Sequence, residues 1–482
     1  MPIHSARALA ALTGSLAALS LGGCGPEAVD AELAIVGATL IPMDGPAVPD
    51  ATVLVRDGRI VALGPRAAVR PTERAELIDA AGGYLVPGLW DLHVHVLNPG
   101  APELAFPGLV ANGVTGVRDM NGALSLDSIA RLKRALDEGT VVGPRLVVAG
   151  RLVDGPARSP GARGPNTAVV TSVDEARAAV DRLADDGADF IKVYHALPLD
   201  LLRAVAEEAG ARGLTVVGHF PLVARADSAA PLLRSAEHLQ GIFESTSPQG
   251  DSLRALYQHL IALLSEGSPP TPEMAAEVGR LRRAVASGVD PVRLEALIDR
   301  LAEVGTVQVP TLASNRGLYL IPFDAGRTDD PRFGGLAESV RSSWQRAGSP
   351  YGGDSAGARA HFAALLDLVR AMKGAGVPVL PGTDLGVPWV YPGSGLHDEL
   401  GLLVEAGFTP EEALRAATIE AARFLGLRDS LGAIATGQVA DLLLLEADPR
   451  EDIAAVRQIR GVALRGRWLD RRALDSLAAG SD

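Results

Sequence analysis

From Leu85 to His95 the chain runs Leu-Val-Pro-Gly-Leu-Trp-Asp-Leu-His-Val-His, apolar at most positions. Such a run, with Pro87-Gly88 near its head and Asn98-Pro99-Gly100 after it, predicts a β-strand. The same texture returns at Thr115–Asp119, Arg145–Gly150, Phe190–Tyr194, Thr215–His219, Ser235–Leu239, Val307–Leu312 and Val377–Asp384, giving eight expected strands. Between most of them the apolar spacing becomes helical. Val173–Asp185 opens on a Ser172-x-x-Glu175 capping box and is followed by Gly187, and Leu199–Ala211 repeats its apolar residues at helical intervals. Gln240–Gly305 reads as mostly helical and is longer than one crossover needs. Residues 315–357 are rich in Gly, Arg and Asp and read as long loops over one face. Strands alternating with helices predict an α/β fold, a (β/α)8 TIM barrel. The alternative, an open doubly wound sheet, would want a Gly-rich phosphate loop after an early strand, and the chain has none.

The two ends of the chain share a different pattern. Leu33–Val36, Thr39–Pro42, Ala51–Arg56 and Arg59–Gly64 are short β-type runs, and Asp57-Gly58 is a two-residue hairpin signal. Ala440–Glu446, Gly461–Leu464 and Arg467–Leu469 repeat that texture. Neither end has enough strands for a core of its own. The expected organisation is one composite β-sandwich from 33–84 and 429–475, with the barrel, 85–428, inserted between them.

Composition narrows the class. The 482 residues are 47% hydrophobic and carry a net charge of −13. That acidity argues against a nucleic-acid partner, which needs a basic face. Residues 1–24 look like a signal: Arg7, an apolar run from Ala8 to Leu21 too short to span a bilayer, then Leu21-Gly22-Gly23-Cys24 in the manner of a bacterial lipobox. Cys24 is the sole cysteine, so no disulfide forms within one chain. The expectation is cleavage before Cys24, lipid attachment to it and a polar tether over 25–32. The mature protein would then face the periplasm or exterior of a bacterial cell, meeting the membrane only through the lipid. A homo-oligomer is compatible with all of this.

The candidate chemistry lies at the expected strand ends. His93 and His95 are two apart on one strand and therefore project to one side, as half of a metal site would. Lys192 stands near the end of the fourth strand, His219 ends the fifth, His238 lies in the sixth and Asp384 closes the eighth. Lys192 is one of only three lysines, with Lys133 and Lys373, against 42 arginines. It falls in the apolar run Phe190-Ile191-Lys192-Val193-Tyr194, where a solvated charge is out of place. Arginine stays protonated, whereas a buried lysine can lose its proton and act as an amine. Two chemistries suit it: a Schiff base, or addition of carbon dioxide to give a metal-binding carbamate. The surrounding histidines and Asp384 favour the second.

These motifs together resemble the metal-dependent amidohydrolase superfamily, in the branch of imidazolonepropionase-like and Xaa-Pro dipeptidase-like proteins. They are the His-x-His strand end, Lys192 in Ile-Lys-Val, His219 in Gly-His, His238 in Glu-His-Leu and Asp384 in Gly-Thr-Asp. The resemblance extends over nearly all the chain after residue 30, including Thr409-Pro410-Glu411-Glu412-Ala413-Leu414 and Gly437-Gln438-Val439-Ala440-Asp441-Leu442. It implies a binuclear centre, zinc being the expected metal, bridged by carboxylated Lys192 and by hydroxide. His93, His95 and Asp384 would hold the first ion, and His219 and His238 the second. It further implies hydrolysis of a small-molecule amide or peptide-type C–N bond. Asp384 would take a proton from the hydroxide during attack and pass it to the leaving nitrogen.

Tyr194 and His195 follow Lys192 at the barrel mouth and are candidates to bind a substrate carboxylate or carbonyl. Arg118 and Asp119 read as a support pair, His397 as a site residue or a helix-end residue, and Trp389 and Tyr391 as pocket wall. His4, His259 and His361 fall out of place for chemistry. Two other functions stay open at this point. One is a mononuclear enzyme of the deaminase or imidazolonepropionase type, which needs no lysine ligand. The other is a surface lipoprotein that binds a ligand without turnover.

Overall fold

The computed structural model describes residues 28–156, 166–266, 268 and 271–479. Cys24, the signal-like segment before it and the first residues of the tether lie outside the described residues. Among those described, no helix is long and apolar enough to cross a membrane.

From residue 28 the segment expected as a tether is instead packed on the sheet domain, with Ala28–Val29 paired to Arg70–Pro71 and Ala31 buried. The first long strand, β1 (Leu33–Leu40), is continuous where two short runs are expected. Gly37, at φ +77°, absorbs an irregularity there: the register against β2 (Val48–Arg56) shifts between Val36 and Ala38. Asp57 and Gly58, both at positive φ, turn β2 into antiparallel β3 (Arg59–Pro65). Next come β4 (Glu76–Asp79) and β5 (Tyr84–Pro87), both parallel to β1.

The expected strand over 85–95 is in fact two. Gly88 separates β5 from β6 (Leu89–Val94), which belongs to a different sheet. A Cβ on Gly88 would stand 2.1 Å from Thr115 Oγ1, so the crossing needs glycine.

From β6 onward the strands are parallel. β7 (Val114–Asp119) pairs with β6 and with β8 (Arg145–Val148), and β9 (Leu152–Asp154) pairs with β10 (Ile191–Val193). β11 (Val216–Gly218), β12 (Ser235–Glu237) and β13 (Val307–Val309) follow in register. The last expected strand, 377–384, is an extended segment held by single bridges. Gln308 and Leu380 hydrogen-bond it to β13, while Leu92 N–H donates to Pro381 O and Asp384 N–H to His93 O, returning it to β6. The result is a TIM-barrel-like ring whose strand ends converge.

The connecting helices pack outside the ring. They include α1 (Ala101–Ala111), α2 (Val173–Asp185) and α3 (Leu199–Ala211). Ser172 Oγ caps α2 by accepting from Glu175 N–H, and the helix buries Ala176, Ala179, Val180 and Leu183. The long insert after β12 forms α4 (Gly250–Ser265), α5 (Pro272–Ser287) and α6 (Pro291–Val304). The stretch expected as long loops contains α7 (Leu312–Tyr319) and α8 (Glu338–Arg346), followed by α9 (Ser355–Gly374) and α10 (Ser394–Glu405). Its Gly/Arg/Asp composition hid short helices, which are held by an aromatic cluster of Phe333, Trp344, Trp389 and Tyr391.

The chain then returns to the first sheet with β14 (Leu442–Leu445), β15 (Ile459–Leu464) and β16 (Arg467–Asp470). The strand order is β16-β15-β14-β5-β1-β2-β3. The four consecutive leucines of β14 are all buried. Leu442 and Leu444 enter the core of the sheet domain, while Leu443 and Leu445 join the large core that also holds the barrel. A strand covered on both faces reads as an unbroken apolar run.

Candidate metal centre

Five of the six expected ligands enter on strand ends or just beyond them, and Asp384 enters on the closing segment. His93 is fully buried on β6. Its Nδ1 lies 2.7 Å from Glu237 Oε2, so it donates there, leaving the Nε2 lone pair directed inward. Buried among cations, His93 titrates well below its ordinary range, chiefly through burial. Glu237 is braced by Arg118, whose guanidinium reaches both its oxygens at 3.0 and 3.1 Å, and by Ser235 Oγ at 2.6 Å. Burial alone would raise Glu237, but Arg118 and His93 hold its carboxyl far below the usual range. His95 Nδ1 donates to Asn121 O at 3.1 Å, which turns its Nε2 toward Asp384 Oδ1 at 3.3 Å.

Asp384 is the hub of the cluster. Its Oδ1 is 3.5 Å from His93 Nε2, its Oδ2 is 3.9 Å from His238 Nδ1, and it accepts a bond from Ser314 Oγ at 3.2 Å. Burial works against its charge, yet His238, His95 and His93 together hold its carboxyl well below the usual range. His93, His238 and Asp384 each offer a ligand atom within 4.8 Å of the others, a span one cation can bridge.

The remaining expected residues continue the same arc. The His238 ring lies 4.7 Å from that of His219, and His219 Nδ1 is 2.6 Å from His195 Nε2. His195 Nε2 also meets Gln240 Oε1 at 2.6 Å, and Tyr194 stacks 4.4 Å from His219. Lys192 is 2% exposed, and its Nζ has no hydrogen-bond partner. Burial lowers its pKa to about 8. His93 Nε2 is likewise buried without a hydrogen bond. Unpaired buried polar atoms are rare because each costs about 1–3 kcal/mol. Two of them in a nest of histidines and a carboxylate fit a cation-binding site.

The backbone is contorted at this place. His238, Asp384 and Thr311 adopt φ of +64°, +60° and +47°. Each such residue costs about 1–3 kcal/mol, and such strain concentrates at functional sites. Gly382 makes the approach of the closing segment feasible, since a Cβ there would lie 2.8 Å from His93 Cβ.

Two carboxylates missed in the sequence hold this arrangement. Asp91 accepts from Thr383 N–H and Oγ1, tying β6 to the closing segment. Glu237 fixes His93. Asp91 stood in plain view inside the first motif, and Glu237 is the residue before His238. Arg118 and Asp119 do act as supports, but for different partners: Arg118 for Glu237, and Asp119 for the backbone N–H groups of Val96 and Leu97. His397 lies away from the cluster, with its Nε2 on Asn112 O at 2.9 Å. A cavity of about 400 Å³ opens over Lys192, Tyr194, His219, His238 and Asp384.

A barrel-like ring with histidines and an aspartate gathered at its strand ends is a candidate metal site placed where such folds keep their chemistry. Residues 84–469 match the Amidohydrolase family, and the chain belongs to it, as an enzyme that hydrolyses C–N bonds. The chain is similar to imidazolonepropionases of Pseudomonas putida, at 24% identity over 417 residues covering 85% of this chain and 90% of the relative. It is likewise similar to that of Ralstonia nicotianae, at 26% over 418 residues covering 84% and 88%. Among solved structures, a bottromycin amidohydrolase aligns with a TM-score of 0.68 and 26% identity, covering 92% of this chain and 88% of that one. A Xaa-Pro dipeptidase with bound methionine aligns with a TM-score of 0.63 and 21% identity, covering 91% and 99%, a likeness of fold.

Proposed function

We propose that the chain is a binuclear metal-dependent hydrolase of amide or peptide-type C–N bonds, with Lys192 carboxylated between the two ions. The observation that carries this reading is the Lys192 amine, buried without a partner among His93, His219, His238 and Asp384. The names of the relatives, which denote enzymes of cyclic amides and of dipeptides, support the bond type. In this reading the ring is a complete (β/α)8 barrel over 85–428 set into the composite sandwich of 33–84 and 429–475. Lipid on Cys24 tethers it to the bacterial envelope.

His93, His95 and Asp384 would hold one ion, His219 and His238 the other, and carboxylated Lys192 both. Divalent ions supply an acidified water and a Lewis acid for the substrate carbonyl. The chain does the rest. Glu237 keeps His93 in the tautomer that presents Nε2, and Asn121 O does the same for His95. Asp384, ionised and only partly engaged by Ser314, takes the proton of the attacking water and returns it to the departing nitrogen. Tyr194 holds the substrate from the wall of the cavity, and His195 from the wall of the adjoining one.

A second reading rests on the tight group of His93, His238 and Asp384, which suits a single ion and leaves Lys192 as an unmodified amine. Metal content and bicarbonate dependence separate the two. The binuclear reading expects about two ions per chain, reconstitution of metal-free protein that quickens with bicarbonate, and a Lys192→Arg protein that binds poorly and turns over no amide. A fully active Lys192→Arg enzyme with one ion would establish the mononuclear reading instead.

A further inference from the structure

Beyond the metal centre lies a second cavity, of about 480 Å³, a size suited to a small-molecule group. It meets the first at Gln240 and Tyr319, which line both, and His195 lines its near side. Its far wall is the inserted helix α5, and its roof comes from α9 and the segment before it. Arg282 of α5 projects into this space. Its Nε donates to Tyr257 Oη at 2.7 Å, and its guanidinium lies 5.6 Å from that ring's centre. The side chain is thus held at one edge, while among the described residues no carboxylate stands within ion-pair distance and the two terminal nitrogens have no acceptor. A guanidinium fixed in this way presents a ready fork to a carboxylate.

The opposite wall is aromatic. His361, Tyr319, Tyr351 and Phe243 lie edge to face, with His361 4.8 Å from Tyr319 and 5.9 Å from Phe243. His361 Nδ1 is buried without a hydrogen-bond partner. Burial keeps His361 neutral, its pKa lowered to about 4, so the fixed charges on the wall are Arg282, Arg283 and Glu244 and the balance is positive. On the other side of the metal centre, where His95, Gly386 and Val387 are shared, a third cavity of about 340 Å³ is walled by Leu104 of α1 and by Val340 and Trp344 of α8.

We propose that the cavity at α5 is a substrate subsite for an aromatic group bearing a carboxylate, with Arg282 pairing the carboxylate and the aromatic wall receiving the ring. The apolar cavity takes the other half, so the scissile amide spans the metal centre between an apolar group and an aromatic acid. This rests on the amide-hydrolase reading above. The carboxylate takes no part in the bond change: water gives its oxygen to the acyl carbon and a proton to the departing nitrogen.

The test uses the full, zinc-loaded protein with N-hexanoyl-L-phenylalanine and the corresponding carboxamide. The expected result is a preference for the acid in kcat/KM of about tenfold or more, the effect of one charge-assisted pair. That preference should reside in KM, be erased by Arg282→Met and be reversed by Arg282→Glu. A wild type indifferent to the carboxylate, or an Arg282→Met protein that keeps the preference, overturns the proposal. Calorimetric titration with 3-phenylpropionate needs no turnover. Binding that is lost in Arg282→Met upholds the subsite even if neither amide is cleaved, which would count against the hydrolase reading alone. No binding, or binding that survives the substitution, sinks the subsite.

Discussion

Glu237 illustrates how a residue that touches no substrate still governs the centre. Neutralising it would release His93 to turn and leave Arg118 buried without its partner, an uncompensated charge in the barrel interior. Asp384 is the complementary case, a residue whose worth in the proposed mechanism lies in its proton. Asp384→Asn keeps an oxygen toward the cluster but cannot carry a proton. It should retain substantial metal while turnover falls by about two to four orders of magnitude. Metal analysis beside steady-state kinetics on one protein batch checks both halves, and near-normal turnover would remove Asp384 from the proton path. The histidines, Lys192 and Asp384 stood out in the sequence because each lies in or at the end of a strand-like run. Asp91 and Glu237 did not, because a carboxylate one or two residues before a histidine carries no periodic signature. His361, far off in sequence, joins the second cavity only through the folding of α9 against the insert.

At the scale of elements, the short strands were legible by their β-branched runs, but their joints were not. Gly88 splits one apolar run between two sheets, a division set by the contact with Thr115 and invisible to pattern. The helices over the barrel mouth were hidden by loop-like composition. Their attachment yields a pH effect. Glu399 of α10 caps α7, accepting from Ala313 N–H at 2.6 Å, and burial raises its pKa from 4.5 to about 8. Between those values the folded chain holds a proton that the unfolded chain has released. Stability therefore falls as pH rises through that window and levels off above it. Glu399→Gln fixes the neutral form, and its stability gain over wild type should grow from pH 5 to pH 8.5 in urea melts. A constant difference across that range would remove Glu399 as the source.

For the whole molecule, the α/β alternation and the pairing of the two chain ends were both legible. The order of strands within the sheet was not, since register between segments some 355 residues apart leaves no trace in either alone. The proposed anchor belongs to this scale too. With Cys24→Ser, the protein should move from the membrane fraction to the soluble one while keeping its specific activity, because the barrel and sheet are built from residues after Cys24. Membrane retention equal to wild type would dismiss the lipid.

The leucine strand β14 also sets the order in which the protein can be finished. Ribosomes release it some 355 residues after β5, its neighbour in the sheet, and it seals both cores. Until it arrives, the amino-terminal strands have an open edge and the barrel lacks part of its floor. The nascent chain therefore stays unfinished for most of its synthesis, the condition a chain must keep if it is to be threaded through a membrane channel before it folds. Loss of the residues from Leu442 onward would leave a chain with all its proposed metal ligands and no means of closing around them.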